Sequence, residues 1–157
     1  MHLFSLPLAD SKLVYMKLVS YLKEEHEQLG VVVDGTVFDI DTLHPDLPTS
    51  MNMFLSYWED YLPVALAGLN SLEEGRMMPR GTQQIEEVQL LAPVPLPPSC
   101  RDGYAFRQHV EAARRSRKVE MIPQFDQYPI FYFMNHHGIQ GPGEVRCMPD
   151  HLEKLDF

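Results

Sequence analysis

The sequence predicts an α+β fold in two parts. Three observations carry that prediction: a β-rich opening with an Asp34-Gly35 turn signal, helically spaced apolar residues after Ser50, and four prolines in residues 93–98. The opening reads as a small antiparallel meander, with strands over 17–21 and 31–34 and a return strand over 37–40. Ser50 is the expected cap of a helix through Met53, Phe54, Tyr57, Trp58 and Tyr61. Met and aromatic residues at that spacing indicate core rather than a cofactor box. A second helix is expected over 64–74, stopped by Gly75, and a strand over 86–91.

Pro93-Val94-Pro95-Leu96-Pro97-Pro98 can neither continue a helix nor sit in a central strand. It predicts a stiff linker and a domain boundary. Beyond it, residues 104–118 lack Gly and Pro and read as a helix, with Asp102 as N-cap and the basic run 114–118 favouring its C-terminal end. Pro129-Ile130-Phe131-Tyr132-Phe133 is strand-like. Asn135-His136-His137-Gly138 and Gly141-Pro142-Gly143 are turns, and residues 153–157 open another strand. The expected organisation is 1–15 as an extension with no place in the fold, 16–92 as a small N-terminal α+β domain, 93–98 as linker, and 99–157 as a second domain.

Composition narrows the function. The chain has 157 residues, of which 45% are hydrophobic and 22% charged, as in a soluble globular protein. A net charge of −9 argues against nucleic acid as a partner. Two cysteines, Cys100 and Cys147, make no disulfide scaffold, and reduced thiols fit a cytoplasmic protein. No apolar run reaches the roughly 18 residues of a membrane span. The start lacks a basic n-region and is interrupted by Asp10, unlike a signal peptide. One local exception breaks the acidic balance: residues 101–118 hold six basic and two acidic side chains, a local +4. Such an island suits a small anionic substrate, or simply a solvated helix face.

The chemistry concentrates in Arg101-Asp102-Gly103-Tyr104-Ala105-Phe106-Arg107-Gln108-His109. Asp102 and His109 are seven residues apart, which on a helix puts them on one face. A carboxylate binds a hard cation such as Mg²⁺ or Ca²⁺. A histidine on the same face activates water for attack on a carbonyl. The plainer alternative is a capping Asp and a surface His. His136-His137 reads as a polar turn, because adjacent side chains diverge and no further ligand lies at metal spacing. Gly141-Pro142-Gly143-Glu144 lacks the Lys and following helix of a phosphate loop.

These residues resemble the fumarylacetoacetate hydrolase family, in particular its bacterial members. The resemblance rests on Leu90-Leu91-Ala92-Pro93-Val94-Pro95, the 101–109 segment, Met121-Ile122-Pro123, residues 129–133, Gly141-Pro142-Gly143 and Leu155-Asp156-Phe157. It implies a mixed β-roll catalytic domain from residue 99 and a metal-dependent hydrolase, cleaving a carbon–carbon bond in an anionic diketo or 2-oxo acid. It also implies a homodimer in the full-length form and a place in aromatic amino acid catabolism. By resemblance, Asp102 is a ligand of Mg²⁺ or Ca²⁺, His109 the base that activates water, and Tyr104 a contact to the substrate. Arg114, Arg115 and Arg117 are the candidates for a substrate-binding arginine.

Two departures qualify the implication. Gly103 stands where bacterial members carry Phe, which loosens the backbone between Asp102 and Tyr104. The family's Glu-x-Glu pair follows its Leu-Asp-Phe block, and here the sequence ends at that block. The expectation is therefore the opening portion of such an enzyme, inactive alone and weak in metal binding. The competing expectation is a non-catalytic homologue that acts as an interaction module.

Overall fold

A computed structural model describes residues 2–6 and 14–153. The fold is mixed α+β, a curled antiparallel half-barrel sheet with few helices. The chain forms two compact units: Met1–Pro95 with Gln140–Phe157, and Leu96–Ile139. The expected strand at 153–157 falls largely outside the described residues, as does the Leu155-Asp156-Phe157 block. Pro149–Glu153 is a 3-10 turn.

In the first unit, β1 (His2–Leu6), β2 (Val14–Lys23), β3 (His26–Val33), β4 (Thr36–Asp39), β5 (Gln83–Gln84) and β6 (Gln89–Leu90) form one antiparallel sheet. β3 occupies one edge of β2, while β1 and β6 share the other. Segment 1–15, expected to lie outside the fold, thus contributes β1, paired from His2↔Leu18 to Leu6↔Val14. The β3–β4 turn is the Asp34-Gly35 hairpin read from sequence. Both residues take positive φ, 47° and 81°, which the mirror-image hairpin turn requires.

β2 is buried on both faces. Met16 and Leu18 join Leu29, Val31, Ile40 and Phe54 in the main core, while Val19 and Tyr21 pack with Val37 against Ile85, Val88 and Leu90. The alternation of a strand delivers these two sets to opposite sides. Two helices cover the main core, α1 (Met51–Ser56) and α2 (Trp58–Glu73). Ser50 caps α1 as expected, its Oγ accepting from the Met53 N–H at 3.3 Å. The expected helix boundary shifts: the interruption falls at Tyr57, with φ −127°, and α2 runs through Pro63. Gly68 lets α2 approach the Leu43 segment, since a Cβ there would lie 2.7 Å from Leu43 Cβ. Beyond α2, the 86–91 strand shrinks to Gln89–Leu90, which pairs with Leu22 and Tyr21. Gly141 packs on this strand, where a Cβ would collide with the Leu90 carbonyl and the Leu91 backbone. That turn is therefore built for close backbone packing.

One polar cluster lies inside this unit. The Tyr21 hydroxyl donates to buried Asp39, and Lys23 forms an ion pair with the same carboxylate. Burial, then the hydrogen bond and charge of Asp39, push the Tyr21 phenol above its ordinary value.

The second unit holds β7 (Cys100–Gly103), α3 (Arg107–Ser116) and β8 (Phe131–Met134), with β7 and β8 paired antiparallel. Val110 is fully buried. The helix is shorter than the predicted 104–118 and its N-cap is Phe106, not Asp102. Asp102 is instead committed to the ladder opposite Tyr132, and the Tyr104 N–H continues the pairing by donating to Ile130 O at 3.0 Å. Strand pairing satisfies this backbone before a helix can begin.

Candidate functional site

Because β7 is a strand, Asp102 and His109 do not share a helix face as the seven-residue spacing suggested. The period of two governs instead. Directly paired residues in an antiparallel ladder project to the same side. Arg101 and Phe133, with Gly103 and Phe131, therefore occupy one face; Cys100, Asp102, Tyr132 and Met134 occupy the other. Arg101 confirms the first face, its guanidinium carbon lying 5.0 and 5.3 Å from the Phe131 and Phe133 ring centres. Tyr104 follows Asp102 by two residues and meets Tyr132 edge-to-face at 6.0 Å. Asp102, Tyr104 and Tyr132 thus form one exposed-to-half-buried patch.

His109 sits in the first turn of α3 and is exposed. The three candidate arginines are not equivalent. Arg114 is half-buried and donates through Nε to the Glu120 carbonyl, closing the turn after the helix. Lys118, at φ 56°, makes that turn. Arg115 and Arg117 are exposed and leave their guanidinium forks to solvent. They suit an anion better than Arg114, whose donor is already engaged.

A groove of about 460 Å³ opens beside Tyr104, lined by Gly103, Tyr104, Ala105 and residues 125–131. A turn held by Phe125 N→Ile122 O and Tyr128 N→Gln124 O shapes its rim. Phe125 meets the Tyr104 ring edge-to-face at 6.2 Å. Asp126, also in the lining, accepts from Arg107, which holds Glu111 at 2.8 Å through its Nε. The Asp126 hydrogen bond and charge raise the Arg107 guanidinium further above its already high range. Sequence reasoning missed this ion-pair group, although Arg107 and Glu111 stand at the i, i+4 spacing that announces helix pairs. No periodic signal marks Phe125 or Tyr128.

Among the described residues, no group of three or more His, Cys, Asp or Glu side chains gathers around a possible ion position. A hard divalent cation takes about six oxygen ligands. Asp102 offers one exposed carboxylate, so the described side chains alone do not fit Mg²⁺ or Ca²⁺. His136 and His137 lie with ring centres 4.1 Å apart, tilted by 39°, in a 3-10 turn that Asn135 caps, which is a polar turn as read from sequence. Among the described residues, no helix is long and apolar enough to cross a membrane. No protein-family model matches the chain, and no curated protein matches it.

Proposed function

We propose that residues from Cys100 onward are the opening of a fumarylacetoacetate hydrolase-like catalytic domain, acting in the cytoplasm on an anionic diketo or 2-oxo acid. One observation carries the reading. Asp102 and Tyr104 share a face of the β7–β8 ribbon, and the basic helix bearing His109 follows at once. In this reading Tyr104 donates its hydroxyl proton in a hydrogen bond to a substrate carbonyl. Arg115 or Arg117 receives the substrate carboxylate in a forked pair. His109 takes a proton from water as the oxygen attacks the acyl carbonyl. The carbon–carbon bond then breaks, its electron pair leaving as the enolate of a 2-oxo acid, which later gains a proton.

Asp102 would contribute one carboxylate toward a divalent cation, and the described side chains supply no further ligand cluster. The described side chains alone supply too few cation ligands to support turnover, and in this reading the enzyme is a homodimer. The reading is tested by sequencing the gene past the Phe157 codon and weighing the native product. An in-frame Glu-x-Glu and a mass about twice this chain support an enzyme. Metal-dependent turnover by the 157-residue chain itself would defeat the incomplete-site account.

A second reading has its own observation. The β8 strand is exposed along its whole length, with Phe133 74% and Tyr132 58% accessible. A chain that acts as an interaction module would present such a surface. It would run as a defined species in sedimentation and give no calorimetric response to Mg²⁺ or Ca²⁺.

A further inference from the structure

Resting on the 2-oxo acid reading, we infer that the groove beside Tyr104 receives the acyl end of the substrate, and that this end is uncharged and apolar, an aryl or bulky alkyl group. Two features of the groove select this class. Beside the polar Gln127, its walls include rings and aliphatic carbon: Tyr104 and Phe125 in edge contact, the half-buried Ile130, and Tyr128, which is 64% accessible. A ring laid there removes apolar surface from water on both partners. The second feature is Asp126, which also lines the groove. Its carboxylate and that of Glu111 share the single Arg107 guanidinium, so this group of three carries one net negative charge and Asp126 is only partly neutralised. A substrate with a second carboxylate at its acyl end would bring like charge against Asp126.

The groove lining separates two substrate classes that the 101–109 segment alone treats alike. An acid ending in phenyl or branched alkyl is favoured over one ending in methyl by about tenfold in affinity, the effect of burying part of one ring. An acid ending in carboxylate binds more weakly than either.

The test is ¹H–¹⁵N NMR titration of the intact 157-residue chain. The probes are acetophenone, pyruvate, and 2,4-dioxo acids ending in phenyl, methyl or carboxylate. Acetophenone is expected to move the amide signals of Tyr104, Phe125 and Ile130. The phenyl acid should bind about tenfold more tightly than the methyl acid. Phe125→Ala should abolish that preference, and Phe125→Leu, which keeps the wall apolar, should retain part of it. Asp126→Asn should improve binding of the dicarboxylate several-fold relative to the phenyl acid. Equal binding of the three acids overturns this assignment alone. Acetophenone binding with no response to pyruvate or any dioxo acid overturns the 2-oxo acid reading, and this assignment with it. Unmoved groove signals with acetophenone overturn the assignment directly.

Discussion

Strand β2 buries side chains on both faces, whereas β8 buries none. Met16, Leu18 and Tyr21 are at most 1% accessible; Phe131, Tyr132, Phe133 and Met134 run from 39% to 74%. In the first unit, position follows from packing between sheet and helices. The second is held by a short backbone ladder, ring-edge contacts and the Arg107 ion pairs. An isolated two-stranded ribbon is marginal in water. The candidate chemistry therefore rests on the less firmly supported unit, and the two units should respond differently to the same insult.

The sharpest break comes from Phe54→Ala. Phe54 is 1% accessible in the main core and stacks on Tyr61 at 6.0 Å. Its loss should cost about 3–5 kcal/mol. Urea unfolding followed by Trp58 fluorescence measures this, because Trp58 opens α2. NMR signals from β7 and β8 should lose dispersion at a midpoint the substitution leaves in place. A shared midpoint that moves with Phe54→Ala would show that the units unfold together, and the contrast would fail.

Tyr21→Phe probes the same unit from its polar side. The substitution strips a hydrogen bond from buried Asp39 and leaves Lys23 as its ion partner. The cost should be about 1–3 kcal/mol at neutral pH. A pH signature accompanies it. The folded phenol is held above its ordinary value of about 10, so the unfolded chain releases this proton first. The contribution is complete below pH of about 10 and is lost as pH rises further. Thermal unfolding from pH 8 to 11 should show stability falling in the parent and a flatter profile in Tyr21→Phe. Parallel profiles would remove Tyr21 as the titrating group.

These two sites also show what the sequence made legible. The hairpin at Asp34-Gly35, the Ser50 cap and the core role of Phe54 follow from local chemistry, since turn geometry, capping and helical period are written in neighbouring residues. The Tyr21–Asp39 pair was not legible, because it joins residues on β2 and β4 whose faces depend on register. Asp102 failed for a related reason. Its local context suits a helix cap, but strand pairing with Tyr132 wins, and that partner lies 30 residues away. Tyr104 enters as a candidate through the family resemblance, while the Phe125 and Asp126 groove arises from turns with no periodic mark. The start expected at residue 64 also fails, since α2 begins at Trp58 and holds Pro63 within its first two turns.

Val110→Ala tests the second unit at the apolar side chain it buries fully. Removing two methyl-sized groups should cost about 2 kcal/mol. The expected readout is local: hydrogen exchange of α3 amides should accelerate, while β2 and β3 amides keep their protection. Acceleration in both units would mean that Val110 supports the whole molecule, and the comparison would need redrawing.

Arg101→Ala carries the smallest expected effect and discriminates most finely. Arg101 lies over two rings of β8, at 5.0 and 5.3 Å, on the face opposite Asp102. At an exposed site a cation over an aromatic face contributes about 0.5–1 kcal/mol. That is small beside a core residue, yet it acts on a ribbon with few other tertiary supports. Exchange of the ribbon's paired amides should quicken about two- to fivefold, the rate equivalent of that energy. Arg101→Lys should recover only part of the protection, because a compact ammonium does not stack as a planar guanidinium does. Unchanged exchange in both variants would place the ribbon's stability in its backbone ladder alone, and the aromatic face would then be free to take another occupant.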